Sequence, residues 1–273
     1  MKLTQALLPV AGFGTRFLPW TKVVPKELLP IGNQPIIALL VDECLSVGIK
    51  DICFVISKGK EAIPQYFLHH PELEKELHGR GKLHLLSELA KYHEVNFAVE
   101  YQNEMKGDGH AILQAKEWVK SPVIAVLFGD DLIVGEQNGL QQLVAAYEQL
   151  DEEEAAILCL ENVPREAVSR YGIVDIESSH PKMERLKKVK GLVEKPDPKD
   201  APSTLGIIGK YLIPRSTMDI LPDVKSGHGG EIRLIDALIA QLGKISIYGY
   251  EAAGKRYDTG NPAGYKEALK DLA

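Results

Sequence analysis

Short runs of apolar residues recur along the first half of the chain. The runs at 3–10, 51–57 and 123–131 are apolar at nearly every position. A strand that is covered on both faces has no polar side, so these runs predict buried strands. The segments 96–102 and 155–161 predict two more strands.

Helical spacing of apolar residues fills the intervals between these strands. Apolar positions three and four residues apart predict a helix from Ile36 to Leu45, with Asn33 as its cap, Pro35 in its first turn and Gly48 at its end. Similar patterns predict helices at 110–120 and 140–147, and the segment 68–93, rich in His, Glu, Lys and Leu, is expected to be helical and partly exposed. Alternating strands and helices indicate a doubly wound parallel sheet over the first 160 residues.

The second half of the chain has a different pattern. Its apolar segments are separated by polar or proline-containing loops, and one helix is clear at 231–242. The strands predicted there are 171–178, 189–196, 204–214 and 244–252. We therefore expect an α/β, Rossmann-like fold with a mostly parallel central sheet flanked by helices and a mostly antiparallel C-terminal elaboration. No flexible linker divides the sequence, so we expect a single domain over 1–273, with halves at 1–160 and 161–273.

Composition and charge exclude several classes of function. The chain has 45% hydrophobic and 26% charged residues, as expected of a soluble globular protein. A net charge of -6 argues against a nucleic-acid-binding protein. Neither a membrane-length apolar run nor a signal-peptide pattern is present, so we expect a cytoplasmic protein without a membrane partner.

Cysteine and histidine usage gives no sign of a disulfide or a zinc site. Cys44, Cys53 and Cys159 are far apart, and each lies among apolar residues. We expect all three to be reduced residues of the core. The eight histidines lack the close spacing of zinc ligands and have no cysteine partners, so we do not expect zinc.

A glycine-rich loop follows the first predicted strand. The stretch "AGFGTRFLPWTKVVPKE" combines Gly12 and Gly14 with Arg16, Lys22 and Lys26. It lacks the Gly-Lys-Ser/Thr ending of a P-loop, and an aromatic residue stands where a dinucleotide fingerprint has its third glycine. A turn of this kind is often only structural, but its backbone N–H groups and cations are suited to phosphate oxygens.

Polar residues also follow other predicted strands. The segment 123–131 ends in Asp130 and Asp131, and an aspartate there can bind Mg²⁺ at the ligand-binding edge of the sheet. Gln102 and Gly107 precede the helix predicted at 110–120, where an amide and free backbone groups can contact a base edge. Each pair is also common in ordinary loops and caps.

Two motifs in the second half add further candidates. Glu194 and Lys195 lie in "LVEKP" and can contact sugar hydroxyls and a phosphate, and Gly172 in "RYGIVD" allows close backbone approach. Asp258 in "YDTGN" offers a second carboxylate for a metal ion. Taken singly, a surface Glu-Lys pair and an Asp-x-Gly turn are more often structural.

Taken together, these motifs match one family. The chain resembles the bacterial UTP–glucose-1-phosphate uridylyltransferases, or UDP-glucose pyrophosphorylases, of the sugar-nucleotide pyrophosphorylase family. The resemblance extends from residue 9 to residue 261 through the following motifs: "PVAGFGTRFLPWTKVVPKELLPI", "QNEMKGDGHA", "GDD", "RYGIVD", "LVEKP", "GGEIRLIDA" and "YDTGN". The T-K-x-x-P-K-E-x-L-P part points to the uridylyl subgroup, whose fold is a glycosyltransferase-A-type sheet.

The resemblance implies a nucleotidyl transfer with Mg²⁺ as cofactor. UTP and glucose 1-phosphate would be the substrates, UDP-glucose and pyrophosphate the products, and the enzyme a homo-oligomer, a dimer or a tetramer. The nucleotide would lie against Ala11, Gly12, Gly14, Thr15, Glu27, Gln102 and Gly107. The sugar would contact Asp131, Gly172 and Glu194 in the second half of the chain. The groups acting in catalysis would be Arg16, Lys26, Asp130, Lys195 and Asp258, with Asp130 and Asp258 as the metal ligands.

Three other functions remain open on the sequence alone. The first is a nucleotidyltransferase of other specificity, for dTTP or another sugar 1-phosphate. The second is a regulatory paralogue with weak turnover, which the full set of phosphate and metal residues argues against. The third is a nicotinamide-dependent dehydrogenase, which Phe17 disfavours because it stands at the third glycine position of the fingerprint.

Overall fold

Strands from both ends of the chain form the central sheet. The computed structural model describes residues 3–152, 154–224 and 230–273. Its strands are β1 (Gln5–Pro9), β2 (Pro30–Ile31), β3 (Gln34–Pro35), β4 (Asp51–Ile56), β5 (Asn96–Tyr101), β6 (Val123–Leu127), β7 (Asp131–Val134), β8 (Ala155–Asn162), β9 (Gly172–His180), β10 (Met183–Glu194), β11 (Leu205–Pro214), β12 (Ser246–Glu251) and β13 (Lys255–Asp258).

The described ranges contain helices that cover both faces of this sheet and others that lie away from it. They are α1 (Ile36–Ser46), α2 (Ala62–Gln65), α3 (Pro71–Gly79), α4 (Leu83–Ala90), α5 (Asp108–Gln114), α6 (Gly139–Tyr147), α7 (Ser216–Ile220), α8 (Leu234–Gln241) and α9 (Pro262–Leu272). The helical prediction for 68–93 is confirmed by α3 and α4, neither of which buries a residue. Within the described ranges, no helix has the length and apolarity that crossing a bilayer requires.

Nine strands form a mixed sheet in the order β5-β4-β1-β6-β11-β8-β12-β10-β9. The strands β5, β4, β1 and β6 are mutually parallel, as the alternating pattern predicts. β11 is antiparallel to both of its neighbours, β6 and β8. β8 therefore runs in the same direction as β6, as the sequence predicts, but the parallel strands of the first 160 residues are not contiguous, because β11 from the second half lies between β6 and β8.

The core consists of two apolar layers, one on each face of the sheet. Side chains alternate along a strand, so Ala6 and Leu8 of β1 face α1 and α6, whereas Leu7 faces α5 and α8. All three side chains are fully buried. Burial on both faces explains the nearly continuous apolar runs of the sequence.

Several element boundaries differ from those predicted, among them β10, which begins at Met183 rather than at 189, and the three described next. The first helix begins at Ile36, and Asn33 does not cap it, because Gln34 and Pro35 pair with Pro30 and Ile31 in a small hairpin. The helix predicted at 110–120 spans Asp108–Gln114, and the chain beyond it continues in turns. The strand predicted at 123–131 ends at Leu127, because the chain then turns away to form β7 with β13.

Candidate functional site

Two clefts open at the carboxyl ends of the parallel strands, the edge at which α/β sheets bind ligands. The first, here called the apolar cleft, has a volume of about 310 Å³. It is lined by Pro9, Ala11, Gly12, Phe13, Gln102, Met105, Gly107, Asp108, Ala111, Phe128 and Glu231. The second, here called the charged cleft, has a volume of about 430 Å³. It is lined by Arg16, Asp130, Asp131, Ser169, Arg170, Tyr171, Lys195, Arg256 and Asp258.

The glycine-rich loop contributes to both clefts. Gly14 has a φ of 65°, a conformation that favours glycine, and the Thr21 hydroxyl donates a hydrogen bond to its carbonyl oxygen at 2.8 Å. The loop then runs through three single 3₁₀ turns at 15–17, 20–22 and 26–28. These turns leave the loop compact without a long helix, as the interrupting prolines require.

The apolar cleft ends at a tight turn before α5. Gly107 has a φ of 96°, and a Cβ on it would lie 2.6 Å from the carbonyl oxygen of Ile232. The amide of Gln102 donates a hydrogen bond to the Gly107 carbonyl oxygen at 2.9 Å. Asp108 accepts hydrogen bonds from the backbone N–H groups of Gly109 and Leu234, at 2.6 and 3.0 Å. Burial raises the pKa of Asp108 above its ordinary value, although these two bonds oppose the shift.

An ion pair between Lys26 and Asp130 stands at the edge of the charged cleft. Nζ of Lys26 lies 2.5 Å from Oδ2 of Asp130, and their side chains are 16% and 26% exposed. Burial alone would raise the pKa of Asp130, but Lys26 and Arg16 outweigh it and hold that pKa below its ordinary value. Asp130 is therefore a carboxylate at neutral pH.

Asp258 lies close to Asp130 across Gly260. The Asp258 carboxylate accepts a hydrogen bond from the Gly260 N–H at 3.0 Å. A Cβ on Gly260 would collide with the Asp130 carboxylate and lie 3.1 Å from Oδ1 of Asp258. Thr259 donates two hydrogen bonds to the Asp130 carbonyl oxygen, at 2.8 and 2.9 Å, and so joins the two segments. Two carboxylates beside a residue without a side chain fit a hard divalent cation.

Asp131 holds its neighbours together at the base of the charged cleft. One of its oxygens accepts from Nε of Arg256 at 2.6 Å, and the other accepts from the Gly209 N–H at 3.0 Å. Arg256 also donates to Glu161 at 2.8 Å and to the Tyr171 hydroxyl at 3.2 Å. Burial raises the pKa of Asp131, although Arg256 opposes this shift. The carboxylate is thus already engaged by protein groups.

Glu27 lies beneath the loop and lines neither cleft. It is 1% exposed, and both of its oxygens accept hydrogen bonds from Lys60, at 3.1 and 2.9 Å. Lys60 also donates to the Val10 carbonyl oxygen at 2.6 Å. Burial lowers the pKa of Lys60, and Glu27 opposes that shift. The pair fastens the loop to the end of β1.

A second buried ammonium group supports the aspartates from below. Lys210 of β11 is fully buried and donates a hydrogen bond to the Asp131 carbonyl oxygen at 2.5 Å. Its ammonium lies 3.2 Å from Glu43 of α1. Burial raises the pKa of Glu43, while Lys210 opposes that shift. Lys210 thereby links α1, β11 and the turn that carries the two aspartates.

Gly172, Glu194 and Lys195 meet at the outer side of the charged cleft. Gly172 pairs with Glu194 between β9 and β10. A Cβ on Gly172 would lie 3.2 Å from the Glu194 carboxylate. Lys195 has a φ of 47°, which is unusual for a residue with a side chain, and its backbone N–H donates to the Tyr171 carbonyl oxygen at 3.0 Å. Backbone strain of this kind is concentrated at functional sites.

Most of the residues singled out from the sequence thus lie together. Among the proposed nucleotide contacts, Gln102 and Gly107 line the apolar cleft. Glu27 lines neither cleft, because it is buried beneath the glycine-rich loop. Gly14, Thr15, Gly172 and Glu194 adjoin residues that line a cleft.

The sequence analysis assigned no role to several residues of the site. They are Lys60, Glu161, Arg170, Tyr171, Lys210, Glu231 and Arg256. Lys60 and Arg256 look like ordinary surface cations in the sequence. Their burial depends on partners far along the chain, as with Arg256 and Asp131. The one usable signal was Lys210, a charge inside the apolar segment 204–214.

Comparison with known proteins identifies the class. Residues 5–273 match the model of the nucleotidyl transferase family. The chain therefore belongs to the nucleotidyl transferase family.

Full-length relatives narrow the class further. The chain is 41% identical to a UTP–glucose-1-phosphate uridylyltransferase of Bacillus subtilis, with 100% of this chain and 91% of the relative covered. It is 39% identical to the enzyme of that name from Komagataeibacter xylinus, with 95% and 90% covered.

Solved structures agree with these relatives. A UTP-bound UGPase from Acinetobacter baumannii superposes with a TM-score of 0.89 at 34% identity, covering 98% of this chain and 92% of that chain. A UDP-glucose pyrophosphorylase complexed with UDP-glucose gives a TM-score of 0.85 at 34% identity, covering 98% and 97%. The mixed sheet flanked by helices is thus the fold expected from the sequence.

Proposed function

We propose that the protein is a UTP–glucose-1-phosphate uridylyltransferase, which makes UDP-glucose and pyrophosphate from UTP and glucose 1-phosphate. The observation that carries this proposal is the arrangement of the two clefts about one ion pair. In the glycine-rich loop, Gly12 and Phe13 line the apolar cleft, whereas Arg16 lines the charged cleft. After β6, Phe128 lines the apolar cleft and Asp130 lines the charged cleft. A base and a phosphate chain of one nucleotide can therefore lie along the same two segments.

The uridine of UTP fits the apolar cleft. Its walls offer Phe13, Met105 and Phe128 to a flat base. The amide of Gln102 and the Gly107 backbone provide polar groups for the uracil edge. Glu27 supports the glycine-rich loop from below through Lys60. It is buried and both of its oxygens are bound by Lys60, so it does not contact the ribose.

The triphosphate of UTP lies toward the charged cleft. Arg16 is exposed there, and the ammonium of Lys26 stands beside Asp130. Both cations can contact phosphate oxygens, and charge-assisted contacts of this kind are the strong ones. Lys26 forms an ion pair with Asp130 in the free protein, which keeps its ammonium close to the proposed position of the triphosphate.

Asp130 and Asp258 are proposed to hold Mg²⁺. Their carboxylate oxygens are the ligands that this ion prefers, and Gly260 leaves room between them. When bound, the ion would neutralise phosphate charge during the transfer. The low pKa of Asp130 keeps that ligand ionised at neutral pH.

Glucose 1-phosphate is proposed to occupy the charged cleft. Lys195 lines this cleft, is 58% exposed, and would contact the sugar phosphate. Glu194 and the backbone at Gly172 would contact sugar hydroxyls beside it. Asp131 is engaged by Arg256 and Gly209, so its contribution is to position the base of the cleft.

The chemistry requires positioning and charge neutralisation from the chain. An oxygen of the sugar phosphate attacks the α-phosphorus of UTP in line, and the bond to the leaving pyrophosphate breaks. The attacking phosphate is already ionised at neutral pH, so no side chain has to remove a proton. Arg16, Lys26 and Lys195 offset the repulsion between the two anions and hold them in contact.

Pyrophosphate release from a panel of nucleotides and sugar phosphates tests the proposal. UTP with glucose 1-phosphate should give the highest kcat/KM, and dTTP or another sugar 1-phosphate a clearly lower value. Asp130→Ala should reduce kcat by at least about 100-fold, the scale seen when one group that stabilises transition-state charge is removed. Asp219→Ala is a matched control, because Asp219 is exposed on α7 and paired with Lys116. Full activity of Asp130→Ala would refute the assignment of the site.

A further inference from the structure

A group of three metal-binding side chains lies outside both clefts. Across 3–152, 154–224 and 230–273, His69, Glu74 and His93 are the three residues whose ligand atoms all lie within 4.8 Å of one another. Nδ1 of His69 is 3.5 Å from Oε1 of Glu74, and Nε2 of His93 is 3.8 Å from the same oxygen. The fold brings these histidines together although their spacing in the sequence gave no such sign.

The nitrogen of His93 lacks the partner that a buried polar atom normally has. Nε2 of His93 is withdrawn from solvent and makes no hydrogen bond. Its 3.8 Å separation from Glu74 is too long for a hydrogen bond. Ligand atoms around a tetrahedral zinc ion are about 3.3–3.5 Å apart, as follows from Zn–N and Zn–O distances of about 2.0–2.2 Å. The separations of the two histidine nitrogens from Oε1 of Glu74, 3.5 and 3.8 Å, are therefore close to the spacing of ligand atoms around one ion.

We propose that His69, Glu74 and His93 bind a divalent transition-metal ion of the zinc class. Two imidazoles and one carboxylate suit Zn²⁺ far better than Mg²⁺, which prefers oxygen ligands. Three protein ligands leave the fourth tetrahedral position to water. This site is separate in residues and in chemistry from the Asp130 and Asp258 pair.

The surroundings of the group favour such binding. The Glu74 carboxylate accepts a hydrogen bond from the His70 N–H at 3.2 Å, an outer contact of the kind that orients metal ligands. The rings of His69 and His93 stack with centroids 3.5 Å apart and planes at 26°. Both rings cannot point at one ion while stacked, so binding requires the His69 ring to turn. Its side chain is 58% exposed and free to do so.

The position of the group gives the ion a structural task. His69 precedes α3, Glu74 lies in α3, and His93 follows α4, so the ion would close the base of the helical excursion formed by α3 and α4. Neither helix buries a residue, and the excursion therefore has little packing to hold it. An ion bound to the folded form alone stabilises that form.

Zinc titration of the full chain tests the site. Calorimetry is performed after chelator treatment, with excess Mg²⁺ present to occupy the carboxylate pair. The wild-type chain should bind one Zn²⁺ that His69→Gln and Glu74→Gln bind at least about 10-fold more weakly. His84→Gln is the matched control, because His84 is an exposed histidine of α4 outside the group. It should bind as the wild type does.

Protection of the excursion gives a readout that does not depend on activity. Zinc should slow proteolytic cleavage between residues 71 and 90 in the wild type and in His84→Gln, but not in His69→Gln. Turnover of UTP by His69→Gln should equal that of the wild type. Equal zinc affinity in all variants, or no zinc binding by the wild type, would overturn the proposal. His69 is exposed, so replacing it leaves the core unchanged and His69→Gln should fold as the wild type does.

Discussion

Nζ of Lys26 lies 2.5 Å from Oδ2 of Asp130, although 104 residues separate the two in the sequence. The pair joins the glycine-rich loop to the turn that follows β6. It also lowers the pKa of Asp130 against the opposing effect of burial. One contact therefore fixes the position of the glycine-rich loop and keeps Asp130, a proposed metal ligand, ionised.

The acid stability of Asp130→Asn should report on this pair. The folded-state pKa of Asp130 is depressed, so its contribution is fully present above the unfolded value of about 3.9 and is lost as pH falls through the folded pKa. At pH 7 the variant should be less stable by about 1.5–3 kcal/mol, the scale of a hydrogen bond to a charged group. The difference should shrink below about pH 4. Urea unfolding at several pH values measures it, and a difference that stays constant down to pH 3 would contradict this account.

Gly107→Ala should damage the apolar cleft. The new Cβ meets the Ile232 carbonyl oxygen, and a φ of 96° is unfavourable for alanine. Unfolding should become easier by about 1–3 kcal/mol. The KM for UTP should rise, because the Gly107 carbonyl holds the Gln102 amide.

Gly81→Ala is the control for that variant. Gly81 has a φ of 66° in the turn between α3 and α4, with nothing within 4 Å of an added Cβ. Gly81→Ala should lower the free energy of unfolding, because alanine is unfavourable at this φ, without any change in the KM for UTP. An equal rise of KM in both variants would show that the effect does not come from the cleft. Chemical unfolding and steady-state kinetics provide the two measurements.

Lys195→Gly should separate activity from stability. Glycine accepts the φ of 47° without strain, so the unfolding free energy should stay within about 1 kcal/mol of the wild type. The kcat/KM for glucose 1-phosphate should fall about 10- to 100-fold, because one charged contact to the phosphate is lost. Lys195→Met should lose as much activity and be less stable than Lys195→Gly, since it keeps a side chain at that φ. Unchanged kinetics in both variants would remove Lys195 from the site.

Lys60→Met should destabilise the fold through Glu27. A carboxylate that is 1% exposed would lose its cation, which typically costs about 3–5 kcal/mol. Combining Lys60→Met with Glu27→Leu should cost less than the sum of the two single variants, because the uncompensated charge is gone. Denaturant unfolding of all four proteins gives the coupling energy. Strict additivity would show that the two side chains act independently.

The fold was predictable where burial leaves a local pattern. β1, β4 and α1 are recognisable because both faces of the strands and one face of the helix are apolar. The prediction that Asn33 caps the first helix was wrong, because the chain forms a hairpin at this point and the helix begins only at Ile36. The pairing of β11 with β6 is not visible in the sequence, since a strand carries no local sign of its partner.

The candidate site was predictable where a motif keeps its residues close in sequence. Gly14, Arg16 and Lys26 belong to one such stretch, and Asp130 follows a strand end. Glu27 stands in the same stretch, but only the fold reveals that Lys60 occupies both of its oxygens. His69 and His93 remained unconnected for a similar reason, because α3 and α4 lie between them.

The middle of the sheet has a consequence for synthesis of the protein. β11, residues 205–214, is the fifth of nine strands and lies between β6 and β8, both of which leave the ribosome earlier. Until it emerges, these two strands present facing edges without a partner, and unpaired edges invite association between chains. A nascent chain halted before residue 205 therefore exposes unpaired edges of β6 and β8 to other chains.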